Sequence, residues 1–219
     1  MTVSTFFPDG DTESTSVDGW TVVDGVNVTW ANLLTTAGQG NNDSAATMLV
    51  GLESSGTTNQ WKSVYNGFLL FDTSDIGSDI VSAVTLGVVC TSMANELSDS
   101  LAWNTTNPDS NTTLENTDHL LIGNVKQSSD ILMSNLTVDS ATYNTLTGNS
   151  TAVGNVSTDG ISKFGVGSAY IISQTEPSWL SSKATQLVIA TAEETLDTDK
   201  RPKLTVTHAI AFTPKVMMF

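Results

Sequence analysis

Cysteine is almost missing from this chain. A single thiol, Cys90, rules out an internal disulfide framework. Its setting in the apolar run Val84-Thr85-Leu86-Gly87-Val88-Val89-Cys90 marks a small core residue, since a reactive thiolate needs basic neighbours. Basic side chains are scarce too: eight Lys and Arg stand against 23 Asp and Glu in 219 residues, for a formal net charge of −15 and a pI near 4.1. Such a chain repels phosphate backbones and anionic bilayers, so the expected partners include no nucleic acid and no membrane. Apolar runs fall far short of a membrane span, and Met1-Thr2-Val3-Ser4-Thr5 lacks the basic and apolar regions of a secretory leader. The only histidines are His119 and His208. Neither sits in a nucleophile motif or at metal-binding spacing, and both read as surface or strand-edge residues. No P-loop or dinucleotide fingerprint occurs. With paired carboxylates uninformative among so many acids, the chain reads as having no catalytic apparatus.

What is present is the composition of many short strands joined by turns. Ser, Thr, Asn, Asp and Gly separate clusters of Val, Ile, Leu and Phe, and 39% of residues are hydrophobic, which supplies a core. Val3 to Phe7 reads as a strand closed by Pro8-Asp9-Gly10-Asp11. Trp20 to Val23, Asp24-Gly25 and Val26 to Trp30 read as a hairpin, because glycine accepts the positive φ of a tight turn. Thr47 to Leu52, the nearly all-apolar Asn66 to Asp72, and Ile80 to Val89 read as core strands. Between about 94 and 160 the pattern weakens, and Ser140 to Leu146 reads as a helical turn or two. Three more strands follow at Lys163 to Ile172, Gln186 to Ala190 and Lys203 to His208. No repeat or linker divides the chain. The expectation is an all-β fold, an antiparallel β-sandwich of jelly-roll type, with one domain over 1–208 and an apolar tail over 209–219.

Three groups of residues invite a functional reading. Asp9, Asp11 and Glu13, and separately Asp72, Asp75 and Asp79, offer the hard oxygen ligands of calcium, although neither set follows the EF-hand pattern. No other cofactor is implied. Of five tryptophans, Trp20, Trp30 and Trp61 lie in strand patterns and read as core. Trp103 and Trp179, beside Asn104 and Pro177-Ser178, read as the loop-borne pair that could stack on a sugar. The third group is the apolar end, where Phe212, Val216, Met217, Met218 and Phe219 offer a docking segment for a neighbouring subunit.

The passage Gly67-Phe68-Leu69-Leu70-Phe71-Asp72-Thr73, followed by Ile80-Val81-Ser82-Ala83-Val84-Thr85-Leu86, resembles the core signature of DNRLRE-type β-sandwich modules. Lys163-Phe164-Gly165 and Arg201-Pro202-Lys203-Leu204-Thr205-Val206-Thr207 look like the last strands of that family. The sequence departs from it at Leu70, where arginine is frequent, and by one extra residue at Val84-Thr85-Leu86. The resemblance implies a module of secreted surface proteins or of tailed-bacteriophage virions, and carries no catalytic residues. The leading expectation is therefore a non-enzymatic virion structural protein on the particle exterior, a capsid decoration or tail-associated protein that assembles with itself or with shell and tail proteins. A carbohydrate-binding or adhesive module that grips a surface glycan is the alternative, and a surface-filament subunit is a third reading.

Overall fold

The computed structural model describes residues 1–139, 141–194 and 198–210. In chain order its elements are β1 (Thr2–Phe6), β2 (Asp18–Val23), α1 (Trp30–Leu33), β3 (Gly40–Asn42), β4 (Thr47–Ser54), β5 (Trp61–Asp72), β6 (Ile80–Asn95), β7 (Ser100–Thr106), β8 (Ile122–Lys126), β9 (Ile131–Leu132), β10 (Tyr143–Thr147), α2 (Ser150–Asn155), β11 (Ile161–Ser168), α3 (Ala169–Ile172), β12 (Ala184–Ala190) and β13 (Lys203–Ala209). Every ladder joining these strands is antiparallel. The fold is all-β and sandwich-like.

Strand β6 is the pivot of the architecture. Its first part pairs with β13 and β10, and its last part, from Cys90 to Asn95, pairs with β12. The handover coincides with a register shift in β12 between Val188 and Ile189, and a bulge of this kind bends a strand from one sheet toward another. On one side lies the group β1-β13-β6-β10. On the other, the order runs β6-β12-β4-β5-β11-β7-β8, with β2 laid along β5 and β3 along β2.

Period-2 alternation positions the core. In β13, Leu204, Val206 and His208 are buried while their neighbours are half-exposed. Strand β5 departs from alternation because both its faces are covered: Leu69 and Phe71 join the main cluster with Leu86, Trp103 and Phe164, whereas Phe68 and Leu70 pack against Val17 and Leu114. Each fully buried Leu or Phe contributes about 1.5–3 kcal/mol, so these two-sided strands hold the sandwich together.

Two expectations are corrected. Residues 26–30 do not return along β2. The main-chain N–H of Val26 donates to Lys62 and that of Val28 to Trp61, and the chain then turns into α1, which seats Trp30 edge-on against Trp61 at 5.2 Å. Burying two indoles outweighs the local hairpin signal of Asp24-Gly25. Tyr143–Thr147 is a strand, not a helical turn, because its register along Val89 to Thr85 of β6 supplies partners for its backbone groups. The apolar docking residues Phe212, Val216, Met217, Met218 and Phe219 lie outside the described residues. Among the described residues no helix is long and apolar enough to cross a membrane.

Candidate functional site

The two candidate tryptophans part company. Trp103 is fully buried, and its ring meets Phe164 edge-to-face at 5.1 Å. Its role as a sugar platform is withdrawn: β7 pairs with β11 on one side and β8 on the other, so its inward side chains lie beneath the sheet. Trp179 is half-exposed. It lines an open cleft with Trp30, Asn59, Glu176, Pro177 and Ser178.

That cleft is held in shape from beneath. Trp179 Nε1 donates to the Gln60 carbonyl at 3.0 Å, and Trp61 Nε1 donates to Glu176 Oε1 at 3.0 Å. Both bonds fix side chains that would otherwise cost entropy to order on binding. Trp30 is buried, and its Nε1 is shielded from solvent without a hydrogen-bond partner. Asn59 holds φ +54, a conformation asparagine tolerates better than most residues. An aromatic face, a polar rim and a fixed carboxylate together line the cleft.

The acidic residues near the N-terminus form a different kind of site. Asp9 spends its Oδ2 on its own loop, accepting from the main chain of Ser14 at 3.0 Å and Thr15 at 2.7 Å and from both hydroxyls. Asp11 is exposed and Glu13 half-buried. The sequence reading missed Asp18, which is fully buried and accepts from the Ala192 N–H at 3.0 Å. At Gly19 a Cβ would stand 2.3 Å from the Asn42 carbonyl oxygen, so only glycine lets residues 42–43 press against the segment carrying Asp18. Both oxygens of Glu193 and Oε1 of Glu13 are shielded from solvent. Burial, and then the charges of Glu193 and Glu13, hold Asp18 well above the usual carboxylate range. Burial, and then Glu13 and Asp11, push Glu193 up to about 7. Even so, no three His, Cys, Asp or Glu among the described residues are grouped closely enough to hold a metal ion.

In the second acidic group, Asp72 Oδ1 caps the Ser74 N–H at 3.0 Å and Asp75 is exposed. Asp79 has a different partner, His208. Both histidines are buried, where surface or strand-edge positions were expected. His119 is buried with Nδ1 3.0 Å from Thr21 Oγ1, and burial lowers its pKa to about 4, so it stays neutral at physiological pH. His208 is also buried, with Nδ1 2.7 Å from Asp79 Oδ2 and Nε2 2.9 Å from Ser4 Oγ.

No protein-family model and no curated protein sequence matches the chain.

Proposed function

We propose that the chain is an adhesive module that grips a neutral glycan in the Trp179 cleft. The observation that carries this is the half-exposed Trp179 ring, held by its Nε1 bond to Gln60 and flanked by Asn59, Glu176 and Ser178. A pre-ordered indole supplies large contact area at little entropic cost, which is why tryptophan dominates binding hot spots. The ligand is neutral because Glu176 sits in the cleft and the chain carries net charge −15, a combination that disfavours acidic sugars. Placement on the exterior of a tailed-phage particle comes from the DNRLRE-type resemblance, and the expected assembly through the 209–219 tail belongs to the same proposal. Calcium has no part in this reading of the cleft.

Screening against a glycan array, followed by titration calorimetry on the best neutral hit, tests the proposal. Trp179→Ala is expected to weaken binding by about 30-fold or more, in line with a hot-spot loss of ~2 kcal/mol. Asn59→Gly keeps the positive φ and removes only the side chain, so it tests the polar rim without disturbing the backbone. Retention of full affinity by Trp179→Ala in a folded protein sinks the cleft as the binding site.

A further inference from the structure

A second site, unrelated to the Trp179 cleft, is assembled where β1 and β13 meet. Ser4 comes from β1, His208 from β13, and Asp79 from the turn just before β6. Ser4 Oγ stands 2.9 Å from His208 Nε2, and His208 Nδ1 stands 2.7 Å from Asp79 Oδ2. Both contacts fall within the reach that proton transfer requires. The connectivity, hydroxyl to Nε2 and Nδ1 to carboxylate, is that of a serine nucleophile with its base and orienting acid, an arrangement recognised by geometry and not by sequence order. We propose that Ser4 is an activated nucleophile that accepts the acyl group of small activated carboxylic esters, with His208 as its base and Asp79 as the positioning carboxylate.

The surroundings favour the assignment. A carboxylate at Nδ1 fixes the tautomer that carries its proton there, so Nε2 keeps the lone pair that faces Ser4. The His208 side chain is 8% exposed and that of Asp79 18%, so their pairing is shielded from solvent screening. Ser4 itself is half-exposed. Among the described residues β1 pairs only with β13. In an antiparallel edge strand alternate N–H groups point away from the partner, so the outer edge of β1 carries main-chain donors that its ladder with β13 does not use.

In the reaction, Oγ bonds to the ester carbonyl carbon as His208 Nε2 takes the hydroxyl proton. The tetrahedral adduct then collapses with cleavage of the bond to the leaving alkoxide, which takes the proton from His208 and departs as the alcohol. Ser4 is left as its acyl ester. Water attacks that ester by the same proton relay, releasing the carboxylic acid and restoring the hydroxyl.

The test is labelling of the full chain with a fluorophosphonate probe and with p-nitrophenyl acetate, read by intact mass and peptide mapping. The expected result is one label per chain at Ser4, absent in Ser4→Ala and unchanged in Ser82→Ala, which removes an exposed hydroxyl on β6, on the far side of β13. His208→Gln keeps a polar side chain of similar reach and is expected to slow labelling at least 100-fold, the low end of general-base contributions. Asp79→Asn is expected to slow it at least 10-fold, and thermal melting confirms that both variants fold. Absence of label from the native wild type overturns the proposal. So does label scattered evenly over many serines, or wild-type labelling rates in a folded His208→Gln. Trp179→Ala leaves the labelling unchanged, which separates this activity from glycan binding.

Discussion

Replacing Glu193 with Gln isolates the free energy stored in the buried acidic cluster. Glu193 moves from an ordinary value of 4.5 up to about 7 in the folded chain. A displacement of that size is worth ~3 kcal/mol at full strength, but the residue is only part-buried and solvent screening reduces it to about 1–2 kcal/mol. Because the folded state holds its proton more tightly than the unfolded chain, there is no penalty below about pH 4.5. The penalty grows as pH rises toward 7 and is complete above it. Glu193→Gln never ionises there and escapes the penalty. With roughly 2–4 °C of melting temperature per kcal/mol in a domain this size, the variant is expected to gain roughly 2–8 °C on the wild type between pH 4.5 and pH 8. Differential scanning calorimetry across that range, with EDTA present to keep divalent cations off the carboxylates, reads the gap directly. General self-repulsion of the acidic chain acts on both proteins almost equally and cancels. A gap that stays constant with pH, or narrows as pH rises, refutes the reasoning.

Two further outcomes test the core. Trp103→Ala removes a fully buried indole that meets Phe164 at 5.1 Å and is expected to cost about 3–5 kcal/mol, seen as a lower urea midpoint with an unchanged slope. A loss below about 1 kcal/mol would show that the ring is not packed as described. Burial pushes the Cys90 thiol up to about 12, so an aromatic disulfide reagent is expected to leave the native protein untouched at pH 8 and to react at once in urea. Rapid reaction of the folded chain contradicts that environment.

Strands with strong apolar patterns were legible in the sequence. Val3 to Phe7, Thr47 to Leu52, Asn66 to Asp72 and Lys203 to His208 each correspond to a strand, displaced by a few residues at the ends. Trp103 was not, because its neighbours Asn104, Thr105 and Thr106 look like a loop until β11 pairs with them. The hairpin at Asp24-Gly25 failed for a related reason: a local turn signal competed with burial of Trp30 against a residue 31 positions away. The sites were less legible still. Asp18 and Glu193 are separated by most of the chain and meet only in the fold, and the same holds for Ser4, Asp79 and His208. A search for motifs along the sequence is blind to such sets, since sheet pairing, not spacing, brings their members together.

The pairing of β1 with β13 has a consequence for synthesis. Thr2 faces His208 across this ladder, so β1 must wait for β13. At about 5–20 residues per second, β1 spends roughly 10–40 s as an unpaired edge. A chain cut short before β13 can gather much of its core yet has neither this ladder nor the Ser4–His208 contact. The nucleophile therefore reports that translation reached β13, the strand that holds its base.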